Sequence, residues 1–255
     1  MASILDRIIN MFTFHPHNKV RLDVKDMPHH VSERWIETTD GEILQSFYFK
    51  HSDAKQHSLI IYFHGNTGNL FSHHRFEHAE KLHKMGCNVL LISYRGYSKS
   101  TGKPSEKGIY IDGESTLSYA HKTLGYSNEN IFVIGRSLGT TVAVEISQNR
   151  NFKGVVLLTP LTSAKDMGKE MDFSYFSFLA KSTFNSIKKI KYLRSPLLII
   201  HGTEDKQIPF AMGKKLFEKY KGKKDFIRIK DAGHNNIQLV DPYLFWNGIE
   251  SFLNK

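Results

Sequence analysis

Short apolar runs alternate along this chain with stretches of helical periodicity. Residues 31–38 and 43–50 read as two antiparallel strands joined at Asp40-Gly41, a hairpin turn signal. Further strands are expected at 58–63, 88–94, 131–134, 154–158, 196–200 and 226–229, several of them apolar enough to be buried on both faces. Helices are expected at 73–85 and 112–124. Another follows Gly139, where Val142, Ala143 and Ile146 recur at helical spacing. A helix at 209–220 begins with proline at its tolerated first turn. Asp241-Pro242 reads as an N-cap and first turn for a closing helix with Phe245, Ile249 and Phe252 inward. Alternating strands and helices predict an α/β fold with a mostly parallel sheet and right-handed crossovers. Ligands of such sheets bind outside the carboxyl ends of the strands. Asn66, Ser137, Asp205 and His234 each follow an expected strand, so all four should gather at that edge.

Two stretches fit this pattern less simply. Residues 161–192 carry Phe173, Tyr175, Phe176, Phe178, Leu179 and Phe184. They read either as a small cap over an apolar acyl pocket, lined by Phe173, Phe176 and Phe178, or as ordinary packing of short helices. Residues 1–14 are amphipathic, with Ile4, Leu5, Ile8, Ile9 and Phe12 on one helical face. That helix either packs on the domain or lies on a membrane surface. Asp6 and Arg7 interrupt any signal-peptide core, and no run reaches the length of a membrane span.

The 255 residues suit one α/β domain over 31–255, with 1–30 as lead-in and 161–192 as the cap insertion. A single cysteine, Cys87, excludes an intramolecular disulfide framework and fits a reducing, cytoplasmic compartment. Beside Val89 and Leu90 it reads as a small buried hydrophobe. The formal net charge is +10, with much of it in residues 181–194 and 214–224. Such runs are usually solvated faces; peripheral contact with an anionic membrane, or with an acidic partner, is the alternative. No recognition motif accompanies the charge, so nucleic acid is not an expected partner.

The chemistry centres on Ile131-Phe132-Val133-Ile134-Gly135-Arg136-Ser137-Leu138-Gly139. Gly-x-Ser-x-Gly between a buried strand and a helix is the context of a nucleophile elbow, which exposes the serine hydroxyl on a strained turn. Gly135 and Gly139 lack Cβ atoms and let strand and helix approach. The bland alternative is a strand–turn–helix crossover with a capping serine. A serine hydroxyl needs a base, and the base needs an orienting carboxylate. Asp205 lies just past an apolar strand, with Glu204 as runner-up, and His234 lies just past the last strand. Asp231 is nearer His234 in sequence, but sequence distance is not distance in a sheet. Most of the other thirteen histidines are expected at the surface. The oxyanion hole needs two backbone donors. The N–H of Leu138 is one candidate, and the N–H of Asn66, with Thr67 as alternative, is the other. His74-Arg75-Phe76-Glu77-His78 matches a zinc signature, His-x-x-Glu-His. No third ligand is evident, so neither metal nor cofactor is expected.

These motifs resemble those of the α/β-hydrolase superfamily over about residues 31–253. More narrowly the chain is similar to a group that includes the Bem-type proteins, the α/β-hydrolase-domain depalmitoylases and bacterial serine aminopeptidase-like hydrolases. The narrower resemblance rests on His64-Gly65-Asn66, Tyr94-Arg95-Gly96-Tyr97, Ser100, Gly102, Pro104-Ser105-Glu106 and Gly108. The elbow, His201-Gly202-Thr203 with Asp205, and Gly233-His234-Asn235 complete it. Ser98 stands where the group usually has glycine, and Thr140 where the elbow usually has another; both are expected to shape the pocket mouth. The lipidated cysteine cluster of the depalmitoylases is absent, so that role is not carried over. The resemblance implies a metal-independent carboxylic-ester or thioester hydrolase acting on a small-molecule or lipid acyl ester. Three alternatives remain: a peptidase cleaving amides, a non-catalytic scaffold, and a peripheral membrane-binding protein.

Overall fold

The computed structural model describes residues 10, 13–17, 27–170 and 183–255, without the side chains of His73, Lys169 and Glu170. Most of the amphipathic segment 1–14 therefore lies outside the described residues, as do Phe173, Phe176 and Phe178 and most of the proposed cap. No described helix is long and apolar enough to cross a membrane. Backbone contacts divide the chain into two compact units, Met1–Phe132 and Val133–Lys255.

The first unit holds β1 (His15–Pro16), β2 (Val31–Glu37), β3 (Ile43–Phe49), β4 (Leu59–Phe63), β5 (Thr67–Gly68) and β6 (Asn88–Ile92). The hairpin forms about the expected turn: Glu37 pairs with Ile43, and Gly41 has φ +87°. The strand order is β4-β6-β3-β2, with β4 and β6 parallel and the other two neighbours antiparallel. Every residue of β4 and β6 is buried, which is why both read as unbroken apolar runs. Helix α1 (Arg75–Lys84) packs on β6 and β3. Helix α2 (Glu106–Lys122) begins six residues before the expected start at 112. Its apolar periodicity is weak at Glu106 and Lys107. A cap sets the start instead: Ser105 Oγ accepts from the Gly108 N–H at 3.0 Å.

Arg95 ties this unit together. Its Nε donates to Asp112 Oδ1 at 2.8 Å, and its N–H donates to Asp112 Oδ2 at 2.9 Å. Its two terminal nitrogens form a fork on Asp40 at 2.8 and 2.9 Å. The clamp joins the hairpin turn and α2 to the end of β6, between two tyrosines that hold the loop after β4. Tyr94 Oη donates to His64 O at 3.1 Å, and Tyr97 Oη to Asn66 O at 2.5 Å.

The histidines depart from the expected surface placement. His64, His78, His83 and His201 are buried, and several others are partly covered. Aromatic stacking and backbone carbonyls account for much of this. In the first unit His57, His51, His83 and His30 form a column, with successive ring centroids 4.1, 3.9 and 4.7 Å apart. His57 faces Gly86 O and Asp53, His51 faces His83 O, His83 faces Cys87 O, and His30 faces Glu80. Cys87 is buried, as its apolar neighbours suggested.

The second unit follows β7 (Ile131–Arg136), with α3 (Gly139–Ile146), β8 (Gly154–Leu158), α4 (Ala164–Glu170), α5 (Ser186–Lys189) and β9 (Leu197–Gly202). Then come α6 (Phe210–Lys219), β10 (Lys224–Ile229), α7 (Ile237–Val240) and α8 (Pro242–Leu253). Pro209 caps α6 from just outside rather than opening its first turn. The strand order is β7-β8-β9-β10, and β8, β9 and β10 are parallel. The N–H of Ser137, just past β7, donates to Leu158 O at the end of β8, so β7 runs the same way. Phe245, Ile249 and Phe252 of α8 are buried as their spacing predicts, and Asp241 Oδ1 caps the helix through the Leu244 N–H.

Two expected outcomes follow. Asp112→Ala leaves a buried Arg95 short of a partner and should cost about 3 kcal/mol in urea unfolding; an unchanged midpoint would remove the clamp's importance. Burial pushes the His83 pKa below the ordinary value; its bond to Cys87 O opposes this, while the charges of His51 and His30 add to it. A depressed histidine stabilises the fold above its unfolded pKa of about 6.5. That stability is lost as pH falls from there through the folded value. His83→Phe should therefore flatten the loss of thermal stability between about pH 7 and pH 5; an equally steep loss would assign it elsewhere.

Candidate active site

The second unit brings Ser137, His234 and Asp205 into one hydrogen-bonded line. Ser137 stands one residue past β7, Asp205 three past β9 and His234 five past β10. All three strands are parallel, so their carboxyl ends deliver these loops to one edge. His234 Nε2 lies 2.9 Å from Ser137 Oγ, and His234 Nδ1 lies 2.8 Å from Asp205 Oδ2. The carboxylate only accepts, so Nδ1 carries the hydrogen and Nε2 accepts from the serine hydroxyl. Glu204 and Asp231, the competing acids, are exposed. The Asp231 N–H instead donates to Thr203 Oγ1 at 2.9 Å.

The backbone of the elbow is strained where the hydroxyl is presented. Ser137 has φ +53°, a left-handed conformation that a non-glycine residue adopts at a cost of about 1–3 kcal/mol. Neighbouring contacts hold it there. The Ser137 N–H is taken by Leu158 O, and its carbonyl accepts from the Thr140 N–H and, at 2.6 Å, from the Thr140 hydroxyl. Thr140 is fully buried, so it does not shape a pocket mouth as expected; it closes the elbow from below. A Cβ on Gly135 would lie 2.5 Å from Gly139 O and 2.7 Å from Thr140 Cα. Strand and helix can therefore cross at this distance only with glycine at 135. Leu138 stands at the N-cap of α3, where an N–H has no intrahelical carbonyl to serve.

Asp205 is a buried charge with a full set of donors. Its Oδ1 accepts from the N–H groups of Gln207 and Ile208 at 2.9 and 2.8 Å. Its Oδ2 faces His234 Nδ1 and, at 3.4 Å, His201 Nε2. Burial pushes its pKa up, but the hydrogen bonds from His201 and His234, the charge interaction with His234 and the Ile208 N–H outweigh that. They hold the carboxyl well below the usual carboxylate range. The group therefore stays ionised beside His234. Arg136 Nη2 reaches His234 O at 3.4 Å and steadies the histidine loop. The roles of His201, Arg136 and Thr140 were not read from the sequence. The i,i+4 spacing of His201 and Asp205 was the one available signal.

In the first unit, Asn66 is fixed by its neighbours. Its carbonyl accepts from His15 N–H and from Tyr97 Oη, and its side-chain amide donates to Thr13 O at 2.9 Å. Arg75 clamps the same loop through the carbonyls of Gly65, Thr67 and Asn69. Ser98 is buried with φ +51°, which explains why glycine is usual there; its hydroxyl accepts from the Leu70 N–H. Of the residues of the zinc signature, His74 is exposed in a left-handed position before α1 and His78 is buried on the helix.

Sequence comparison identifies the family. The profile of the alpha/beta hydrolase fold matches residues 58–180. A human protein named Alpha/beta hydrolase domain-containing protein 17B is 32% identical over 207 residues, covering 81% of this chain and 70% of its own. An uncharacterized protein of Mycobacterium tuberculosis is 29% identical, covering 86% of this chain and 78% of its own. The chain belongs to the alpha/beta hydrolase fold family. Among solved structures, an esterase of Pyrococcus furiosus superposes with a TM-score of 0.78 at 22% identity, covering 95% of this chain and 97% of that one. An alpha-beta hydrolase of Vibrio vulnificus gives 0.80 at 19% identity, covering 99% and 95%. At those identities the likeness speaks for fold.

The crossing at Gly135 gives a direct check. Gly135→Ala must displace backbone, so it should lower the thermal midpoint and abolish labelling of Ser137 by a fluorophosphonate. Full labelling in a stable Gly135→Ala variant would show that the elbow does not need this approach.

Proposed function

We propose that this chain is a serine hydrolase that cleaves carboxylic esters or thioesters through an acyl-enzyme. The observation that carries this reading is the continuous Asp205–His234–Ser137 hydrogen-bond line, with Nε2 free to accept the serine proton. As Ser137 Oγ attacks the acyl carbonyl, its proton passes to His234 Nε2. Asp205 stabilises the imidazolium and keeps Nδ1 protonated. The Leu138 N–H, at the N-cap of α3, is assigned as a donor to the oxyanion. Collapse of the tetrahedral species transfers the His234 proton to the leaving alkoxide or thiolate. Water then attacks the acyl-enzyme with His234 again as base, which returns the acid and free Ser137. Esters and thioesters are favoured over amides because their leaving groups are easier to expel.

A panel of p-nitrophenyl esters, acyl thioesters and aminoacyl amides of varied chain length tests the reading. Ser137→Ala and Asp205→Asn should each lower kcat by about 10⁴-fold or more while the fold is kept. Turnover retained in Ser137→Ala would refute the mechanism. Amides turned over as fast as esters would make the protein a peptidase.

A further inference from the structure

The carboxylate of Asp205 faces two imidazoles, and the mechanism uses only one. His201 is the last residue but one of β9 and is fully buried. Its Nε2 lies 2.9 Å from Ile208 O and 3.4 Å from Asp205 Oδ2. Both neighbours only accept, so Nε2 must carry the ring hydrogen. Nδ1 has no hydrogen-bond partner among the described residues, and a Cβ on Gly213 of α6 would lie 2.4 Å from it. The ring edge is thus packed against helix backbone at a glycine, with no acceptor for a second N–H. Phe210 meets the ring edge-on, with centroids 5.7 Å apart. The ring can neither flip nor change tautomer without leaving a buried donor facing Gly213 and its carbonyl partner unserved.

The Nε2–H thus serves the Ile208 carbonyl while lying 3.4 Å from a second acceptor of the same loop, Asp205 Oδ2. Ile208 closes a small circuit: its N–H donates to Asp205 Oδ1, and its carbonyl accepts from His201. His201 fixes the turn that carries the acid and also approaches the oxygen to which His234 is bound. We propose that His201 is a positioning residue for the acid arm of the site, sharing Asp205 Oδ2 with His234 and limiting how strongly that oxygen holds the His234 proton. This inference rests on the hydrolase reading for its effect on turnover, but not for its effect on the Asp205–His234 bond. Removing the His201 donor gives His234 a stronger acceptor. The imidazolium is then favoured, so the free base needed to activate Ser137 appears only at higher pH.

Two variants of equal length separate the donor from the packing. His201→Gln keeps an amide N–H at about the reach of Nε2, and His201→Met fills the same space without one. With a p-nitrophenyl ester, His201→Met should lose about tenfold in kcat with KM unchanged. The acid limb of its pH–rate profile should move up by about half a unit. His201→Gln should recover most of both. The downfield Nδ1–H resonance of His234 should shift in the Met variant and return in the Gln variant. That resonance is read without turnover, so an inactive wild type would sink the hydrolase reading while the spectra still decide the role of His201. Met and Gln variants with the same pH limb and the same His234 resonance would overturn the proposal. Should His201→Met not fold, ¹⁵N-histidine spectra of the wild type still test it: a hydrogen on Nδ1 of His201 would refute the arrangement.

Discussion

One buried negative charge sets the terms for the second unit. An isolated carboxylate at the position of Asp205 would be driven toward its neutral form, because removal from water penalises the ion. Two backbone N–H groups and two imidazoles face its oxygens. Each donor belongs to an element whose placement it constrains: the turn after β9 supplies the amides, β9 supplies His201, and the loop after β10 supplies His234. The parallel register of β9 and β10 brings these loops within reach. The carboxylate thus organises the loops as much as they stabilise it.

The elbow meets a different constraint. Its cost is conformational, since Ser137 is held at a positive φ. The strain persists because all the polar groups around it are occupied: the serine N–H by β8, and its carbonyl by Thr140. The hydroxyl is the one group of Ser137 left to face His234. Polar satisfaction of the main chain and exposure of the side chain are two sides of the same arrangement.

Much of this was legible in the sequence because strands buried on both faces read as unbroken apolar runs. Such runs place the strand ends, and the strand ends place Ser137, Asp205 and His234. The choice of Asp205 over Asp231 came from strand position, and the hydrogen bond to His234 agrees with it. What escaped the sequence depends on packing in three dimensions. The early start of α2 follows from a cap at Ser105 and from Arg95 reaching Asp112, seventeen residues on. The column of His57, His51, His83 and His30 draws on three separate segments. Thr140, expected at the pocket mouth, is a buried hydroxyl bonded to Ser137 O. The second imidazole on Asp205 was hidden in plain sight as part of a motif, since spacing shows proximity but not which ring nitrogen faces which oxygen.

The most direct test of the account is covalent labelling of the purified protein with a fluorophosphonate probe, located by peptide mass spectrometry. The account predicts a single adduct on Ser137, formed faster as His234 loses its proton and absent in Ser137→Ala. A well-folded wild-type protein that takes no label, or that is labelled equally after Ser137→Ala, would contradict it.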